Sequence, residues 1–243
     1  MNRRYDRVLL DLDGTLIGLD VSEFIPAYFS RAAAFMADVM APDEFTKRLK
    51  QATRAMLSDS NPTRTNRQVF ERHFFGPISP KRRIIIEEKF DRFYRVCFPQ
   101  LAYLCEPIPA AVMMIPKLLG LGCEVILATN PVFPLVAIRH RLSWGRLSPS
   151  WFSHITSYEN SAFCKPHLGY YQHLLGAGDV PASRTLMVGN DPLEDLIAAE
   201  VGMDTFLVEH YVLDRGSKGW SPTHQGTLEH VVEVVKGDGG EFR

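Results

Sequence analysis

Four stretches hold side chains whose types and spacing could do chemistry. Asp11 and Asp13, in DLDGT, stand two positions apart directly after an apolar run at residues 8–10. Thr129-Asn130 follows a second apolar run, Lys165-Pro166 comes later, and Gly189-Asn190-Asp191 closes a further run, with Asp195 one helical turn beyond. If the runs are parallel strands, all four stretches lie just past strand ends, where open α/β sheets collect their ligands. Three or four carboxylates in one crevice are costly without a counter-charge, and a hard divalent cation with oxygen ligands supplies one. Mg²⁺ suits the set because it keeps waters and takes phosphate oxygens, needing only Asp11, Asp191 and a backbone carbonyl near Asp13. A lysine, a threonine hydroxyl and backbone N–H groups at the same rim suit a phosphoryl group.

The elements that must position these residues follow from hydrophobic period and punctuation. Short continuous apolar runs at 8–10, 124–128, 185–188 and 205–208 read as strands covered on both faces, and 154–158 as a fifth strand. From residue 109 onward helical segments at 109–119, 134–142, 168–175 and 192–201 alternate with them, which predicts a parallel α/β sheet. Between 18 and 107 no strand pattern is evident. Helices are expected instead at 22–36, from Pro42, from a capping box at Thr65-Asn66-Arg67-Gln68, and from Ser79-Pro80 to about Val96. Residues 18–107 thus form a helical module inserted into a core of 1–17 and 108–243, with a last helix at 228–235 before a frayed GDGGEFR end. Phe24, Phe29, Phe74, Phe75, Phe90 and Phe93 read as the interior of that module. No internal repeat or low-complexity segment is visible.

The order DLDGT, a strand ending in Thr129-Asn130, Lys165, then GNDPLED resembles the haloacid dehalogenase superfamily of phosphohydrolases. Its motifs span residues 11 to 195, and the insertion after the first resembles the cap of the subgroup that carries it there. The resemblance implies a Rossmann-like α/β core with a helical cap domain and an Mg²⁺-dependent phosphatase acting on a small phosphorylated metabolite. It casts Asp11 as the nucleophile that forms an aspartyl phosphate. Asp13 becomes the acid–base group, its backbone offered to the metal and its side chain left free to carry a proton. Thr129, Asn130 and Lys165 would hold the phosphoryl oxygens; Asp191 would join Asp11 and Asp13 at the metal, and Asp195 would support them. This chain departs from the family's fourth motif, since Asn190 separates Gly189 from the acid, so Glu194 stays an alternative to Asp191. Asp13 speaks against carbon–halogen and phosphonate chemistry, whose branches lack an acid there.

Plainer readings exist for each residue: DxD as a solvated turn, Asp195 as a first-turn acid favoured by the helix dipole, Lys165 as surface charge. Asn66 and Arg67, in the polar run Asn61 to Arg67, are candidates for substrate contact, or only part of an interhelical loop. A phosphomutase or phosphotransferase of the same superfamily, and a phospho-accepting regulatory module, remain alternatives. The second is opposed by the roughly ninety-residue insertion, which a single receiver-sized domain would not need.

With 243 residues, 46% of them hydrophobic, the chain has ample material for a core, and 27 basic against 28 acidic residues give no electrostatic reason to expect nucleic acid or an anionic membrane. Four cysteines without metal-ligand spacing, no signal-peptide core and no bilayer-length apolar run lead to the expectation of a cytoplasmic protein with free thiols, monomeric or homodimeric.

Overall fold

The apolar run that precedes DLDGT is strand β1 (Arg7–Leu10), all four of whose residues are buried. It can be apolar on both faces because it lies in the middle of the sheet. It pairs in parallel with β4 (Glu124–Leu127) on one side and with β6 (Thr185–Gly189) on the other. The protein is seen here as a computed structural model, which describes residues 3–176, 178–213 and 220–237.

Along the chain, β1 is followed by β2 (Ile17–Leu19) and helices α1 (Val21–Met36), α2 (Pro42–Ser58), α3 (Asn66–Phe75) and α4 (Pro80–Val96). After a short 3₁₀ helix come β3 (Cys105–Pro107), α5 (Pro109–Gly120), β4, α6 (Leu135–Trp144), β5 (His154–Ile155), α7 (Leu168–Gly176) and β6. The chain then runs through β7 (Asp204–Val208), β8 (His224–Gly226) and α8 (Leu228–Lys236). The main sheet has six strands, all parallel, in the order β5-β4-β1-β6-β7-β8. The chain winds outward from β1 through β4 to β5, then returns to β6 and winds the other way. The carboxyl ends of β1, β4 and β6 therefore flank the point where winding reverses, the position at which such sheets open a crevice.

The helix signals hold where their chemistry is specific. Thr65 and Gln68 close the expected capping box on α3, Pro42 and Pro80 open α2 and α4, and the Asp20 side chain accepts from the Ser22 N–H to cap α1. Between the helices the six phenylalanines behave unequally. Phe24, Phe74, Phe75 and Phe93 are buried, whereas Phe29 and Phe90 are only half-buried.

Four expectations need correction. The sheet has a sixth strand, β8, whose sequence HQG carries no apolar alternation because it is a three-residue edge. Residues 17–19 and 105–107 form a separate antiparallel ladder exactly where the helical segment leaves and rejoins the core. Gly18, Glu106 and Pro107 hide it from any strand pattern. The strand expected at 154–158 stops at Ile155, because the Thr156 hydroxyl turns away to donate to the carbonyl of Thr129 at 2.7 Å. The helix expected at 192–201 is a turn followed by a 3₁₀ helix, Leu196–Val201. Asp191 Oδ1 accepts from the N–H groups of Leu193 (2.9 Å) and Glu194 (3.2 Å), a local turn that competes with a regular first helical turn. The GDGGEFR end beyond Gly237 lies outside the described residues. Among those residues no helix is long and apolar enough to cross a membrane, and the four cysteines are free thiols.

Candidate active site

Asp11 leaves β1 with its N–H bonded to the Val188 carbonyl at 3.0 Å, so the neighbouring strand fixes its backbone. Its side chain is held at both oxygens: Lys165 Nζ donates to Oδ1 at 2.9 Å, and Thr15 Oγ1 donates to Oδ2 at 3.2 Å. Thr15 also lies 3.1 Å from Asn190 Oδ1, which ties the first loop to the last. Gly14 makes that closure possible. Its φ of +83° is left-handed, and a Cβ there would sit 2.3 Å from Asn190 Nδ2.

Lys165 is 1% exposed and bridges two carboxylates, Asp11 and Asp195, the second at 2.6 Å. Burial alone would push the ammonium pKa down, but the two anions overcome it and raise it well above that of an ordinary lysine. Asp195, equally buried, is raised by desolvation with Lys165 opposing, and its other oxygen accepts from the Asp191 N–H at 3.0 Å. The first-turn-acid and surface-charge readings of these two residues therefore fail. Gly189 is what allows Asp195 to reach the strand end, since a Cβ there would stand 2.0 Å from Asp195 Oδ2. Gly189→Ala should lower stability by about 2 kcal/mol or more, the scale of overpacking in a closed site, read as a fall in the midpoint of urea unfolding. An unchanged midpoint would mean that Asp195 can move aside freely.

Asp13 is not left free. It pairs with the guanidinium of Arg141, which is 1% exposed and lies over the Phe133 ring at 4.7 Å. Desolvation raises the Asp13 pKa; Arg141 opposes the shift and the nearby Asp11 adds to it. Asp13 Oδ1 is buried and accepts no hydrogen bond. Sequence reasoning missed Arg141, although it stands with Ala137, Ile138 and Leu142 on the buried face of α6. An arginine at a core position of a helix is the signal that could have found it.

The other expected residues divide. Thr129 is 2% exposed, and its carbonyl accepts from Thr156 and from the Tyr170 hydroxyl at 3.0 Å. The Asn130 side chain donates to Glu194 Oε2 at 3.0 Å. Asn66 is fully buried: its side chain donates to the Pro131 carbonyl (3.1 Å) and Cys164 Sγ (3.3 Å), and its N–H to the Ser161 carbonyl (2.8 Å). It fastens the start of α3 to the loops beside Asn130 and Lys165 and does not wall the cavity. Arg67 does reach the cavity wall, ion-paired to Glu71 at 2.7 Å.

Asp11, Asp13, Thr129, Asn130, Asp191 and Asp195 line one end of a single cavity of about 1060 Å³, whose opposite walls come from α1 to α4. The donor set suits Mg²⁺. Asp11 and Asp191 offer hard carboxylate oxygens that line the same end of the cavity. Among the described residues no three His, Cys, Asp or Glu side chains gather closely enough to hold a metal by themselves. Mg²⁺ does not require three, since it binds through one or two carboxylates and keeps its waters.

Comparison with known proteins fits this geometry. Among solved structures, a 2-haloacid dehalogenase from Pseudomonas syringae superposes with TM-score 0.63 at 17% identity, covering 97% of this chain and 100% of its own. A HAD phosphatase from Thermococcus onnurineus gives 0.55 at 19% identity, covering 98% and 100%. The HAD-hydrolase YfnB from Bacillus subtilis, bound to magnesium, gives 0.55 at 20% identity, covering 96% and 99%. At these identities the likeness shows the fold. No curated protein matches the sequence. The family model of the haloacid dehalogenase-like hydrolases matches residues 5–202, from the residues leading into β1 to the turn after Asp195, and the chain belongs to that family.

Proposed function

We propose that this hydrolase is a phosphatase that cleaves phosphate monoesters through an aspartyl phosphate on Asp11. The observation that carries the reading is the unequal treatment of the two acids in DLDGT. Asp11 is held by an ammonium and a hydroxyl, one at each oxygen, which aims it. Asp13 is raised by burial, which favours a carboxyl able to hold a proton. In the first step an Asp11 oxygen attacks phosphorus while the P–O bond to the alcohol breaks, and the Asp13 proton goes to the leaving oxygen. In the second, Asp13, now a carboxylate, takes a proton from water as the water oxygen attacks phosphorus, which releases phosphate and restores Asp11. Lys165 and Thr129 meet the phosphoryl oxygens, and Lys165 keeps Asp11 oriented between turnovers.

Asp11, Asp191 and the Asp13 carbonyl would hold Mg²⁺, which when bound supplies positive charge against the phosphoryl oxygens. The helices of residues 18–107 act as the cap, closing over the leaving group and excluding water. The presence of Asp13 favours phosphoester over carbon–halogen cleavage, because an alkoxide needs a proton and a halide does not. The free thiols suit a reducing compartment such as the cytoplasm.

The test is release of inorganic phosphate from a panel of phosphate monoesters. Multiple turnovers with Mg²⁺ and loss of turnover after chelation are expected, with recovery on re-addition. No release from any ester would overturn the reading, and undiminished release in chelator would remove the metal from it.

A further inference from the structure

We propose that the favoured substrate is a phosphate monoester whose alcohol is bulky, apolar and preferably aromatic. The proposal rests on the phosphatase reading above. The cavity of about 1060 Å³ is at the upper end of what encloses a drug-sized ligand, far more than a phosphoryl group with a short chain would fill. A substrate of a few atoms would leave most of it to water.

The walls identify what fills that space. Phe29 of α1, Phe70 of α3 and Phe90 of α4 are half-buried rings that line the cavity, faced by Phe133 and Tyr158 from the loops beside the sheet. They are held in place by one another and by buried neighbours. Phe90 lies 5.3 Å from Phe74 and 6.3 Å from Phe70, and Phe70 lies 6.1 Å from Tyr158. Such a wall is preformed, so a flat apolar body loses little in meeting it. Apolar side chains also form part of its exposed lining. Val21, Leu57, Val136 and Leu213 line the cavity and are 41%, 48%, 36% and 37% exposed. Exposed aliphatic residues gathered on the rim of one cavity are the pattern of a binding site.

Three esters of primary alcohols with similar leaving-group chemistry separate cavity fit from reactivity: 2-(2-naphthyl)ethyl, ethyl and 2-carboxyethyl phosphate, each with Mg²⁺. The naphthylethyl ester is expected to exceed the other two in kcat/KM by at least a hundredfold, mostly through KM. Equal or better use of either small ester would overturn the proposal while leaving the phosphatase reading intact. Release from none of the three, nor from p-nitrophenyl phosphate, would overturn both. Leu57→Lys, at a half-exposed position on the rim, should narrow the naphthylethyl-to-carboxyethyl ratio at least tenfold. An unchanged ratio would overturn the role of the rim.

Discussion

Asp11→Asn should reduce phosphate release at least roughly a thousandfold, the scale on which enzymes lose rate when a nucleophile is removed, with a thermal midpoint within a few degrees of the parent. The amide is nearly isosteric with the carboxylate and still offers Lys165 an acceptor oxygen, so the local architecture has little reason to change. Lys165 also keeps its second anion, Asp195 at 2.6 Å, so no buried cation is orphaned. What disappears is the attacking electron pair. The residual cavity would still bind the ester and orient water, so the comparison should show kcat falling with KM little altered. Full activity in the variant would exclude Asp11 as nucleophile and leave Asp13 or Asp191 to be tested in its place.

The strand-end part of the cavity was legible because its residues follow strands, and strand ends are announced by apolar runs. Asp11, Thr129 and Asp191 come from three separate places in the chain, but a parallel sheet with β1 in its centre leaves them one crevice in which to meet, and Lys165 joins them from beneath by donating to Asp11. What sequence reasoning lost were features carried by long-range contact. Arg141 reaches Asp13 across 128 positions, and nothing near Arg141 except its place on a buried helix face hints at that partner. Asn66 looked like a polar loop residue. Its environment is set by Pro131, Ser161 and Cys164, which only the folded chain brings to it. The short strands β2, β3 and β8 are specified by their neighbours and not by any alternation of their own. The half-buried state of Phe29 and Phe90 belongs to the same class, since composition marks a phenylalanine as core without saying which of its faces borders a void.

Lys165→Met should destabilise the protein by about 3–5 kcal/mol, the usual result of removing one partner from a buried ion pair, and should abolish turnover as well. Methionine fills much of the lysine volume, so packing is not the cause. The variant leaves Asp11 and Asp195 facing each other with no cation between them, and Asp195 is 1% exposed. The pH dependence has a definite sign. In the parent, the lysine's raised pKa contributes stability that is present below its unfolded value of about 10.4 and is lost only as pH rises through the folded one. In the variant, Asp195, already raised by burial and now without Lys165 opposing the shift, is destabilising once ionised. The deficit should therefore be largest at neutral and alkaline pH and shrink as the pH falls and Asp195 takes up a proton. Adding Asp195→Asn separates charge from structure, because the amide oxygen can still accept the Asp191 N–H that Asp195 Oδ2 now receives at 3.0 Å. The double variant should regain more than half of the lost stability, measured by urea unfolding, and none of the activity. Recovery of activity would show that Lys165 serves only to neutralise Asp195. Failure to recover stability would show that the lysine is held for its shape, and that the two acids tolerate each other without it.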